Sequence, residues 1–193
     1  LFFNKQDDEL YKLVEENDSE IQKEAYDVLP HQIKDGVTYL IYDNQEYPLE
    51  IFGHYNLQNI AAAFKVCQTL SISEEAFFRA IMRFNGAAKR MEKIIDQPDL
   101  KIFRDFAHAP SKLRASVKAV RDQFEDRKLT ACFEMHTFSS LNKSFIQQYD
   151  QALHDADLAV VLLNPEVLKQ KGLPPISDEF LKDVFKRPDL IIV

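Results

Sequence analysis

Polar and apolar positions follow two different rhythms along this 193-residue chain, and the change falls near its middle. In the first half, Leu10, Leu13 and Val14 recur at helical spacing within the acidic stretch Asp7 to Glu16, which predicts a short surface helix. Asp35-Gly36 then introduces the β-rich run Val37 to Tyr42, and Asp43-Asn44-Gln45 turns the chain into Glu46 to Phe52. These runs predict an antiparallel hairpin with Pro48 on an edge strand, because proline donates nothing to a ladder. Leu57, Ile60, Ala61, Phe64 and Cys67 follow as the stripe of an amphipathic helix. A second helix starts at the N-cap Ser73, with Glu74 and Glu75 matching the helix dipole. Its expected buried stripe is Phe77, Ala80, Ile81 and Phe84, and Asn85-Gly86 ends it.

Beyond Asn85–Lys89 the rhythm becomes strand, helix, strand, helix. Arg90 to Ile95 and Lys101 to Phe106 are expected strands separated by Gln97-Pro98-Asp99. Pro110 suits a first helical turn, and Leu113, Val117, Val120 and Phe124 form a helical stripe. Lys128 to Phe133 reads as a buried strand, Phe145 to Leu153 as a helix, and Leu158 to Leu163 as a strand. Asp178 to Phe185 reads as a helix and Leu190 to Val193 as a final strand. Such alternation predicts an α/β domain with a mainly parallel sheet, preceded by an α+β segment, with the boundary near Asn85–Lys89.

Composition changes this picture little. Hydrophobic residues make up 46% and charged residues 28%, so a packed core is expected. The net charge of −7 argues against non-specific binding to nucleic acid or to anionic membranes. No apolar run approaches the roughly 20 residues that span a bilayer. Cys67 and Cys132 each lie in an apolar segment and read as small buried hydrophobes, with no disulfide framework, which suggests a reducing, cytoplasmic setting. The start at Leu1 rather than Met, and the strand-like run at Val193, lead us to expect a piece of something larger.

Candidate chemistry gathers at three places. Asn56 and Asn59 stand three apart where a strand gives way to a helix, so both carboxamides share a helix face and can meet one ligand. Arg90 follows the expected boundary, where its guanidinium could reach a phosphate or pair with Glu92. The third place is a pair of strand ends, where ligands collect in parallel sheets: Arg104 to Ser111 carries Asp105 and His108, and Phe133 to Ser140 carries Glu134 and His136. Asp105, His108 and Ser111 share one loop without a nucleophile elbow, which speaks against a hydrolase triad. Nothing in the spacing makes His108, His136 and Glu134 converge on zinc, and we expect no metal ligands here. His31 and His154 lie in polar contexts that predict solvation. Only four glycines are present and no phosphate-cradling glycine loop is among them.

Taken in order, these motifs resemble those of the ATP-dependent Mur ligases of bacterial cell-wall synthesis. A G-x-H-N-x-x-N-x-x-A-A pattern is matched by Gly53, Asn56, Asn59, Ala62 and Ala63, with Tyr55 in place of the histidine. An F-x-G-x-x-R-R-x-E hinge is matched by Phe84, Gly86, Arg90 and Glu92, with Lys89 for the first arginine. A D-[FY]-[AG]-H-H-P-T motif appears as Asp105, Phe106, Ala107, His108 and Pro110, with Ala109 and Ser111 as departures.

The resemblance implies that residues 1–87 form the end of a central ATP-binding domain and residues 88–193 a Rossmann-like C-terminal domain. It also implies roles. Asn56 and Asn59 would contact the adenine side of ATP, Arg90 would lie near the phosphates and Asp105 at the ribose. Arg90 and His108 would be the catalytic candidates, and His136 would face the incoming amino acid or peptide. The implied reaction is amide formation in peptidoglycan synthesis or recycling: ATP activates UDP-N-acetylmuramate as an acyl phosphate, with Mg²⁺ assisting, and an amine displaces phosphate. The phosphate loop, metal ligands and UDP-binding domain of such ligases lie upstream of these motifs. A fragment inactive without its missing partner portions is therefore expected.

Within the family, the wording Asp105-Phe106-Ala107-His108 and the position of Glu134 point to the branch joining L-Ala-γ-D-Glu-meso-diaminopimelate. The L-alanine-adding branch, which usually carries His-Arg where His136-Thr137 stands, is the alternative. The related folylpolyglutamate ligases and a non-catalytic α/β nucleotide-binding module are the remaining readings.

Overall fold

A computed structural model describes residues 1–193 as two compact units, Leu1–Ala87 and Ala88–Val193. The first is α+β. It opens with β1 (Phe2–Asn4), α1 (Asp8–Glu15) and β2 (Glu24–Tyr26), and β1 pairs with β2 in parallel. The antiparallel strands β3 (His31–Lys34), β4 (Val37–Tyr42) and β5 (Gln45–Leu49) follow, in the order β3-β4-β5. Pro48 thus sits on an edge strand, where its missing N–H costs no ladder bond. Helices α2 (His54–Thr69) and α3 (Glu74–Ile81) close the unit. Leu40, Leu49, Leu57, Ile60 and Phe64 form its core with Phe77 and Phe78.

α3 ends a turn earlier than expected. Phe77 and Phe78 both turn inward, and the Phe78 ring stacks on Tyr47 with centroids 4.3 Å apart. The buried residues of the helix are therefore Phe77 and Phe78; Ile81 is half-buried, and Ala80 and Phe84 of the expected stripe are exposed.

The second unit begins with an antiparallel ribbon, β6 (Glu92–Asp96) and β7 (Lys101–Arg104). Helix α4 (Pro110–Gln123) leads to β8 (Thr130–Glu134). Then come α5 (Lys143–Ile146), a 3-10 turn at Gln147–Tyr149, β9 (Leu158–Leu162), α6 (Pro165–Gln170), α7 (Asp178–Phe185) and β10 (Ile191–Ile192). The strands β10-β9-β8 form a wholly parallel sheet, so the fold is mixed α/β. Leu113 and Val117 of α4 and Leu181, Val184 and Phe185 of α7 share one core cluster with the sheet residues Phe133, Ala159 and Val161.

Three expectations need correction. The helix expected over Phe145–Leu153 is instead a four-residue helix and a 3-10 turn, ended by left-handed Gln151. Residues three apart eclipse in the tighter helix, which buries Ile146 and Tyr149 together. The strand around Cys132 is buried on one face only. Cys132 pairs with Val160, which pairs in turn with Ile191, on the opposite face from Phe133, and both Cys132 and Ile191 are exposed. Cys67, the other expected buried thiol, is only half-buried.

Candidate functional site

In the first unit the two asparagines occupy the opening turns of α2. Gly53 caps that helix without a side-chain hydrogen bond, at φ 91°, a backbone state that favours glycine. Asn56 Nδ2 donates to the Phe52 carbonyl at 2.8 Å, which ties its carboxamide to the strand–helix corner. Asn59, one turn further on, is exposed. The pair shares a helix face, and Asn59 is the member open to solvent.

Arg90 and Asp105 come together in the second unit. Lys89 and Met91, on either side of Arg90, both have positive φ, 57° and 47°. Left-handed backbone at a residue with a Cβ costs about 1–2 kcal/mol, so the turn needs support. Asp105 Oδ1 accepts the Met91 N–H at 3.1 Å, and Asp105 Oδ2 accepts the hydroxyl of Ser116, a buried residue of α4. Phe106 N–H donates to the Lys89 carbonyl at 3.0 Å, while Glu92 Oε2 accepts the Lys89 N–H at 3.0 Å. Glu92 in turn pairs with Arg104 at 2.9 Å, and the Arg104 hydrogen bond holds its carboxyl below the usual range. Arg104, not Arg90, is therefore the partner of Glu92. Arg90 stands exposed at the apex of the turn without an ion pair.

His108 follows on the loop between β7 and α4. Its Nδ1 lies 3.2 Å from the Phe106 carbonyl, and its own carbonyl accepts the Tyr149 hydroxyl. Burial pushes the Tyr149 phenol up to about 12, so it remains a hydrogen-bond donor at neutral pH. Ala109 caps α4 without a side-chain hydrogen bond, and Pro110 fills the first turn, where a missing N–H costs nothing. Ser111 is exposed in that turn, and Asp105 bonds to Met91 and Ser116, so no triad of Asp105, His108 and Ser111 is assembled.

His136 stands just past the carboxyl end of β8. Its Nδ1 is buried without a hydrogen-bond partner and lies 3.9 Å from Glu134 Oε2. The side chain as a whole is 42% exposed, so the ring reaches solvent through its other edge. Thr137 and Ser140 bond to each other through hydroxyls and backbone, which fixes the loop that follows. Two residues that sequence reasoning missed lie beside it. Phe138 is 65% exposed, and the Lys171 ammonium sits 3.8 Å from its ring centroid with no carboxylate partner. Lys171 follows α6, so only folding brings the pair together. No group of three metal-ligating side chains converges anywhere in the structure.

No protein-family model matches the chain. Among curated proteins it is similar to the UDP-N-acetylmuramate–L-alanine ligase of Desulfitobacterium hafniense (strain Y51). The identity is 29% over 142 residues, covering 74% of this chain and 31% of that protein. The corresponding ligase of Arthrobacter sp. (strain FB24) is 32% identical over 136 residues, 70% of this chain and 28% of that protein. The chain thus spans about a third or less of these relatives' length. In fold it is similar to UDP-N-acetylmuramate-alanine ligase MurC of Thermotoga maritima, with TM-score 0.66 at 20% identity, over 90% of this chain and 38% of that one. MurF of Acinetobacter baumannii gives 0.65 at 14% identity, over 99% and 41%. Folylpolyglutamate synthase of Mycobacterium tuberculosis, solved with ADP and AMPPCP, gives 0.61 at 17% identity, over 89% and 40%. Over part of their length, the chain is thus similar in sequence to UDP-N-acetylmuramate–L-alanine ligases and similar in fold to solved Mur ligases.

Proposed function

We propose that the chain is the portion of an ATP-dependent amide ligase that supplies nucleotide and acceptor contacts, with UDP-N-acetylmuramate as the acid to be activated. The observation that carries this reading is Arg90, a guanidinium with no ion pair, held at the apex of a supported turn inside a Mur-like motif. An exposed guanidinium suits phosphate oxygens, which it can meet with two parallel hydrogen bonds. In this reading Asn56 and Asn59 contact the adenine side, Asp105 the ribose, His108 lines the nucleotide site and His136 faces the acceptor. Bound ATP and Mg²⁺ supply carboxylate activation. Residues 1–87 then belong to the central domain of the ligase and residues 88–193 to its C-terminal domain, in the cytoplasm.

The similar curated proteins favour L-alanine as the acceptor over the tripeptide to which the sequence wording first points. A specific observation keeps the tripeptide as a second reading. Thr137 stands where the L-alanine branch usually has arginine, and the exposed Phe138 with Lys171 suits a larger, anionic acceptor. Competition between L-alanine and the tripeptide, assayed on a ligase that contains this chain with its catalytic remainder, decides between them. Preferential incorporation of tripeptide would overturn the L-alanine reading.

By itself the chain is expected to release no phosphate from ATP, since it has neither a glycine-rich phosphate loop nor clustered metal ligands. A phosphate-release assay on the purified chain checks this. Calorimetric titration with ADP separates the ligase reading from a stand-alone nucleotide-binding module: weak binding supports the former, tight binding the latter.

A further inference from the structure

We infer that Asp105 is a positioning residue for Arg90, acting through the backbone of Met91. Its two carboxylate oxygens are engaged within the protein, one by the Met91 N–H at 3.1 Å and the other by the hydroxyl of buried Ser116. Ser116 belongs to α4, a fourteen-residue helix whose Leu113 and Val117 are locked into the core. A line of contacts therefore runs from the core through Ser116 and Asp105 to the backbone beside Arg90. That backbone is left-handed on both sides of the arginine. Two such residues so close together revert readily to extended or right-handed backbone unless the surroundings hold them.

Three separate acceptors and donors do so here: Asp105 on Met91, the Glu92 carboxylate on the Lys89 N–H, and the Phe106 N–H on the Lys89 carbonyl. Of these, Asp105 alone is tied to the helix. Release of Asp105 lets Met91 relax, and Arg90, which has no ion pair to hold it, turns with it. A carboxylate that repels phosphate by charge thus serves phosphate binding by aiming a guanidinium. This inference rests on the reading of Arg90 as a phosphate ligand, but the clasp itself does not.

Inorganic tripolyphosphate carries the phosphate chain without a ribose, so it isolates positioning from any contact of Asp105 with the sugar. In the ¹⁵N-labelled chain, Asp105→Ala is expected to speed hydrogen exchange at the Met91 amide about tenfold, with β8 and β9 amides unchanged. It is also expected to weaken tripolyphosphate binding about fivefold, as Arg90→Ala does. Asp105→Asn keeps an oxygen for Met91 and an amide for the Ser116 hydroxyl, so it should restore both measurements to near the original. Ser116→Ala, which leaves Asp105 in place, should follow Asp105→Ala at smaller amplitude, and it serves if that variant fails to fold.

Unchanged Met91 exchange in Asp105→Ala and Ser116→Ala would overturn the inference. So would unchanged tripolyphosphate binding in Asp105→Ala beside a loss in Arg90→Ala, or an Asp105→Asn as damaged as the alanine variant. An original chain that binds no tripolyphosphate, yet frees Met91 in Asp105→Ala, supports the clasp and counts against the phosphate reading of Arg90 alone.

Discussion

Arg187 shows how much one side chain can organise in the second unit. Its guanidinium, 12% exposed, donates to the Leu153 carbonyl at 3.0 Å and the Ala156 carbonyl at 2.7 Å, and pairs with Asp189 at 2.8 Å. It thereby closes the loop between the 3-10 turn and β9 onto the end of α7. A lysine ammonium lacks the planar fork that reaches all three, so Arg187→Lys should cost about 2 kcal/mol in denaturant unfolding. Tyr149 does a comparable task from inside the core. Its ring lies 5.2 Å from Phe133 while its hydroxyl holds the His108 carbonyl. The folded phenol titrates at about 12, against about 10 for an unfolded tyrosine. Raised in the fold, it contributes fully below the unfolded value, and that contribution fades as pH climbs from about 10 to about 12. Denaturant midpoints measured across this window should fall with pH, and Tyr149→Phe should flatten the decline.

Among the elements, those specified by neighbouring residues were legible. α7 spans Asp178–Phe185 as read, because Ser177 accepts the Phe180 N–H, acids fill the first turn and Leu181, Val184 and Phe185 face inward. Asp7 and Ser73 likewise cap α1 and α3. β1 and β2 went unforeseen because they depend on a distant pairing, Phe2–Asn4 with Glu24–Tyr26. β3 is different: it is a local hairpin partner of β4 across Asp35-Gly36, and its polar run His31–Lys34 carries no apolar alternation that marks it as a strand. The same division applies to the candidate site. Asp105, His108 and His136 lie in short local motifs, whereas the Ser116 hydroxyl on Asp105 and the Lys171 ammonium on Phe138 bridge separate elements and leave no mark in spacing.

The β6–β7 ribbon supplies its own test. Lys101 and Lys93 hydrogen-bond the Asp96 carboxyl and hold it at about 2. That support is present above the unfolded value near 4 and is lost as pH falls through about 2. Amides of the ribbon should accordingly gain exchange in acid before those of β8 and β9 do.

For the molecule as a whole, similarity to MurC, MurF and folylpolyglutamate synthase establishes a shared architecture. A fold shared by ligases with different substrates fixes the scaffold, while substrate choice belongs to the side chains grafted on it. No helix of the chain is long and apolar enough to cross a membrane. The one-sided sheet has a practical consequence. Cys132 opens to solvent among aliphatic neighbours, whereas Cys67 is partly shielded on α2. Iodoacetamide should alkylate Cys132 faster than Cys67, as mass spectrometry of timed samples would show. The difference makes that sulfur a built-in footprint: any body that comes to rest on the bare side of the strands announces itself by slowing one carbamidomethylation and not the other.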